Sequence, residues 1–196
     1  AHNDLELRVP KILPGKGRAT RLDANEAVKV LPEADLMYLD PPYNQHRYFA
    51  NYHIWETLIR WDDPEAYGVA QKRADTREET TKSAFNRKAE MKDAFFDVLE
   101  NAKAGTLMVS YSDEGWIGPA ELLSFLREQR SDVEMFSFQH RRYVGSQIGI
   151  HNLSGEKVGS PGKSHNREHV FVAGDKTTVK DVAQALAEFQ DAQSSA

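Results

Sequence analysis

The sequence predicts an α/β domain, and three observations carry the prediction. Short apolar runs that stop at proline, glycine or polar turns read as buried strands at 36–39, 106–111, 133–138 and 169–173. Segments with helical apolar spacing lie between most of them. Strands that alternate with helices imply a sheet whose strands are joined by crossovers. At 196 residues the chain is most simply one domain, 1–196, long enough to bury a sizeable core.

Taken in order, residues 1–17 hold Pro10, Pro14, Gly15 and Gly17 and read as an irregular lead-in. Residues 18–22 suit a short strand and 25–31 a helical turn or two. The run Leu36-Met37-Tyr38-Leu39 is a strand stopped by Pro41 and Pro42, which cannot continue a sheet ladder. Residues 52–61 carry apolar side chains at 54, 55, 58, 59 and 61, a helical pattern. The charged stretch 62–81 reads as a long loop or lid. A helix is expected over 85–102, with Gly105 as its stop, and another over 119–129 with Pro119 near its first position. Residues 145–166, rich in Gly, Ser, Asn and His, suit a loop or hairpin. One further amphipathic helix occupies the tail, 174–196.

Composition narrows the function classes. No apolar run approaches bilayer length, so no membrane span is expected. The polar start does not resemble a signal peptide, and there is no cysteine for disulfides or thiolate metal sites. A cytoplasmic protein is the expectation. A net charge of −5 does not mark a dedicated nucleic-acid-binding module, although an enzyme needs only a local basic face.

Chemistry concentrates at Asp40-Pro41-Pro42-Tyr43. Ligands of open α/β sheets bind beyond the carboxyl ends of strands, where this turn falls. Two prolines stiffen the turn and remove two N–H donors, leaving carbonyls and the Asp40 carboxylate as an acceptor-rich surface. An exocyclic amino group on a base offers two N–H donors, one each for Asp40 and the Pro41 carbonyl. These acceptors would localise the nitrogen lone pair and stabilise the positive charge that builds during attack. Tyr43 offers a flat face for a base that has left the duplex. In-line transfer of a methyl group then needs mainly positioning, with no metal. Read blandly, the same tetrapeptide is a rigid strand-ending turn.

The stretch 35–45, followed by Asn51-Tyr52-His53, Glu56-Thr57-Leu58 and residues 109–117, resembles the D12 class of adenine-specific DNA methylases, with similarity over about 18–173. The resemblance implies a Rossmann-like S-adenosylmethionine-dependent methyltransferase fold, here partial, and methyl transfer to N6 of adenine in DNA. It implies catalytic roles for Asp40, Pro41 and Tyr43, and cofactor contacts for Asp23, Asp40 and Pro41. Asp23 reads equally as a helix N-cap. Substrate contacts fall to Pro42, Tyr43, Asn44, Tyr52, Tyr111, Arg141 and Arg142. Tyr48, Phe49 and Tyr52 suit either a wall for the flipped base or the core. The stretch His140-Arg141-Arg142-Tyr143, with Lys157, Lys163 and Arg167, suits a phosphate-contacting surface.

The Gly-rich loop that the family places ahead of this region is not visible. A separate chain supplying it is one expectation, with DNA as the other partner. Two alternatives remain: an rRNA guanine-N2 methyltransferase, which uses a similar turn, and an inactive DNA-binding or scaffolding remnant.

Overall fold

The computed structural model describes residues 9–68, 70–141, 156 and 165–194. The chain runs through α1 (Ala24–Val30), β1 (Ala34–Leu39), α2 (Tyr48–Asn51), α3 (His53–Arg60), β2 (Ala66–Tyr67) and β3 (Lys72–Arg73). After three short 3₁₀ turns come α4 (Met91–Asn101), β4 (Ala104–Ser112), α5 (Pro119–Gln129), β5 (Asp132–Arg141), β6 (His165–Gly174) and α6 (Lys176–Ser194).

The four long strands form one mixed sheet in the order β1-β4-β6-β5. β1 and β4 are parallel, in register from Ala34 opposite Ala104 to Leu39 opposite Val109. β6 is antiparallel to both of its neighbours. The expected crossovers therefore hold for β1 to β4 but not for β5 to β6, which pair as neighbours along the chain. Alternation along β4 sends Leu107, Val109 and Tyr111 to one face, where Phe95 and Leu99 of α4 and Leu122 and Leu126 of α5 meet them in a single core. All seven are almost wholly buried, and each such side chain stabilises the fold by about 1.5–3 kcal/mol. α6 packs against β5 and β6. Arg130, just past α5, donates to the carbonyls of Ala104 at 2.8 Å and Ala102 at 2.9 Å, which ties the end of α5 to the entry of β4.

Three readings need correction. Residues 18–22 form no strand and are exposed, with no sheet partner. The helix expected over 85–102 begins only at Met91. Upstream, the Ser83 side chain accepts the Phe85 N–H at 3.2 Å and nucleates a separate 3₁₀ turn, Ala84–Asn86. The stretch 62–81 is not an open lid. It contains the β2–β3 hairpin and two 3₁₀ turns gathered around Arg73, which is buried and donates to Asp62, Asp75 and Thr57. The helix read over 52–61 is present as α3, and its Ile54, Trp55, Leu58 and Ile59 are all at least half exposed.

Candidate catalytic site

β1 delivers Asp40 to the carboxyl edge of the sheet, and the chain then turns through Pro41, Pro42 and Tyr43 without regular structure. The Asp40 carboxylate is exposed, and among the described residues it has no hydrogen-bond or ion-pair partner. Pro41 is buried and anchors the turn. The turn that follows β4 holds the motif in place: the Trp116 N–H donates to the Tyr43 carbonyl at 3.1 Å.

The Tyr43 ring stands on a column of aromatics. Tyr111 meets it edge-on, with centroids 5.8 Å apart and planes at 61°. Tyr111 in turn stacks on Phe95 at 6.0 Å, and Phe95 meets Phe85 at 6.1 Å. Tyr111 is only 1% exposed, and its hydroxyl accepts the Ile117 N–H at 3.2 Å. A Cβ at Gly115 would lie 2.3 Å from the Tyr111 ring, so glycine is what lets this turn close over it. Tyr111 therefore does not face the crevice as a substrate contact; the strand alternation that places it carries it into the core beneath Tyr43. Burial pushes the Tyr43 phenol above its ordinary pKa, and the Glu168, Glu114 and Asp40 carboxylates add to this against an opposing hydrogen bond from Ser112.

Beside the motif lies a cleft of about 340 Å³, near the low end of small-molecule sites. Asp40, Pro41 and Pro42 line one side and Leu22, Asp23 and Ala24 another, with Ser83, Phe85, Phe95 and Val98 among the remaining walls. Asp23 is the N-cap that its position suggested, accepting the Asn25 N–H at 2.9 Å at the start of α1, and it also borders the cleft. Asn25 fixes α1 by donating to the Ala94 carbonyl at 2.9 Å and to Asp97.

On the other side of the motif, Asn44 spends its side chain on a local turn, accepting the His46 N–H at 2.9 Å. Tyr48 and Tyr52 lie 5.9 Å apart, both about half exposed. Tyr48 stands near enough to Asp40 that the carboxylate, second only to burial, raises its phenol pKa. Arg141 ends β5, opposite His165, and Arg142 lies outside the described residues. Lys157 and Lys163 lie outside them as well.

Ser83, Phe85 and Asn86 were not singled out from sequence. Ser83 and Phe85 line the cleft, and the Asn86 side-chain amide donates to the carbonyls of Asn44 at 3.0 Å and His46 at 3.3 Å. No sequence signal marks them, because the partners of Asn86 lie some forty residues earlier in the chain.

The profile of the D12 class N6 adenine-specific DNA methyltransferases matches residues 1–111, which include the whole of β1 and the motif. The chain belongs to that family. The match begins and ends earlier than the stretch of about 18–173 over which the resemblance runs. Among curated relatives, the type II methyltransferase M.FokI of Planomicrobium okeanokoites is 33% identical over 123 residues, 62% of this chain and 18% of its own. The modification methylase StsI of Streptococcus sanguinis is 31% identical over 74% of this chain and 22% of its own. The type II methyltransferase M.NlaIII of Neisseria lactamica is 27% identical over 62% of this chain and 34% of its own. The aligned stretches thus span between about a fifth and a third of these relatives. No solved structure matches significantly. These relatives are DNA methyltransferases and modification methylases. Among the described residues, no helix is long and apolar enough to cross a membrane.

Proposed function

We propose that this chain carries the catalytic turn and the base-binding wall of an enzyme that methylates N6 of adenine in DNA, with S-adenosylmethionine as donor. The observation that carries the reading is the shared geometry of Asp40-Pro41-Pro42-Tyr43: an exposed carboxylate at the carboxyl end of β1, opening onto a cleft that Asp23 also lines. The sheet order supports a partial Rossmann-like methyltransferase fold. So does the outer edge of β1, where Leu36 and Tyr38 are half exposed and no strand among the described residues pairs. In the working enzyme we take the sheet to continue beyond β1, through further chain of the same polypeptide or of a second one.

The cleft residues suit the cofactor chemically. Carboxylates of Asp23 and Asp40 face a space with apolar walls at Leu22, Phe85, Phe95 and Val98, which favours a ligand that is cationic and partly apolar. When bound, the cofactor supplies an electrophilic methyl group on a sulfonium. The protein holds the base. Tyr43, half-buried and backed edge-on by Tyr111, offers a ring face for stacking. Tyr48 flanks Asp40 as a second aromatic wall. Asp40 accepts one N6 hydrogen and the Pro41 carbonyl the other, and both bonds strengthen as positive charge builds on the nitrogen. Pro42 and Asn44 shape the turn around the base. Arg141 closes β5, and we assign contact with the phosphate backbone to Arg141 and Arg142.

Transfer of labelled methyl groups from S-adenosylmethionine to plasmid DNA by the full-length protein, followed by nucleoside analysis, tests the reading. N6-methyladenine is the expected product. Methylation of guanine in ribosomal RNA instead, or of neither nucleic acid, would refute it.

A further inference from the structure

We propose that Asn86 is a positioning residue for the base side of the motif, an inference that rests on the methyltransferase reading above. The segment from Asn44 to His46 links the catalytic turn to α2, which opens with Tyr48. Within it, the Asn44 side chain accepts the His46 N–H. The half-buried Asn86 amide then donates to both carbonyls of the segment, at 3.0 Å to Asn44 and 3.3 Å to His46. One side chain thus satisfies two acceptors and holds the spacing between Tyr43 and Tyr48, two aromatic residues near the Asp40 carboxylate.

The 3₁₀ turn Ala84–Asn86 that presents this amide also joins the cleft wall. Ser83 and Phe85 line the cleft beside Asp40. Phe85 is buried against Phe95, the base of the column that supports Tyr43. The Ser83 side chain caps the turn by accepting the Phe85 N–H. A single turn therefore touches the cofactor side through Ser83 and Phe85 and the base side through Asn86. The base-side segment has no packing of comparable depth: Gln45 and His46 are exposed. Its conformation rests on polar contacts, and Asn86 makes two of them.

The test compares Asn86→Ala, Asn86→Asp and Asn86→Gln in the full-length protein. Three measurements are taken: single-turnover methyl transfer per folded molecule, the KM for S-adenosylmethionine, and hydrogen exchange over residues 43–48. The Ala variant is expected to transfer on the order of tenfold to a hundredfold more slowly, as a misplaced reacting group does, with little change in cofactor KM and faster exchange over 43–48. The Asp variant keeps the size but sets carboxylate oxygens against two carbonyls, so it falls at least as far. The Gln variant retains the donors and recovers part of the rate. Wild-type transfer per folded molecule by both the Ala and Asp variants overturns the proposal, as does a loss matched by an equal loss of cofactor binding. Should the wild-type protein methylate no adenine, the functional reading fails separately. The exchange comparison then decides Asn86 alone: faster exchange in the Ala variant supports the role, and unchanged exchange refutes it.

Discussion

Replacing Asp40 by alanine separates catalysis from folding at this site. The carboxylate is exposed and, among the described residues, bonds to nothing in the folded protein, so its removal leaves no buried group unsatisfied. Stability should change by no more than about 0.5 kcal/mol, as for other surface substitutions. The reaction asks more of it. A preorganised partner of a charge that develops only in the transition state is worth about 2.7–4 kcal/mol, a factor of roughly a hundred to a thousand in rate. Single-turnover transfer on one duplex, with thermal unfolding of the same preparations, measures both quantities. Asp40→Asn adds a second decision. An amide oxygen still accepts the N6 hydrogen, so a mild loss means that hydrogen-bond acceptance dominates; a loss as deep as alanine's means that the negative charge does. An alanine variant that transfers at the wild-type rate would reduce the motif to a turn and refute the central reading. One that loses rate only in proportion to folded protein would refute the separation.

Tyr43→Ala should weaken capture of the flipped base by about 1–3 kcal/mol, the worth of one base–aromatic stack, and Tyr43→Phe should recover most of it; fluorescence of an adenine analogue in the duplex reports this. Tyr111→Phe should instead lower stability by about 1–3 kcal/mol, because the buried Ile117 N–H loses its acceptor, while transfer per folded molecule stays close to wild type; urea unfolding beside the transfer assay checks both halves. Arg73 holds the Asp62 and Asp75 carboxyls below their ordinary pKa of 3.8, chiefly by hydrogen bonding. A depressed folded-state pKa gives stability that is present above that ordinary value and lost as pH falls below it. The wild-type melting temperature should therefore drop more steeply between neutral pH and about pH 3 than that of Arg73→Met, and parallel drops would count against the clamp.

Much of this protein was legible in its local sequence. The strands β1, β4, β5 and β6, the helices α1, α3 and α5, and the tail helix α6 follow from apolar period and from proline and glycine punctuation, which act over a few residues. The Asp-Pro-Pro-Tyr turn after β1 was legible for the same reason. Asp40, Pro41, Pro42 and Tyr43 are contiguous, and the prolines that end β1 also present the carboxylate. The N-cap role of Asp23 was likewise readable, since N-capping is a local event.

Only the tertiary structure decided what depends on distant partners. Period alone cannot say which way a face points: α3 has helical spacing, yet the Arg73 clamp on Asp62 and Thr57 holds it with its apolar side outward. Tyr111 ends an apolar strand, and whether it met ligand or core depended on its alternation against α4 and on a turn that only Gly115 permits. Ser83, Phe85 and Asn86 sit in a polar stretch without periodicity, and they reach the motif because the chain folds back across some forty residues. Local sequence determines which elements form and which turn carries the carboxylate. Burial and long-range hydrogen bonding determine which side chains surround that carboxylate, because those contacts exist only once the core of α4, α5 and β4 has assembled.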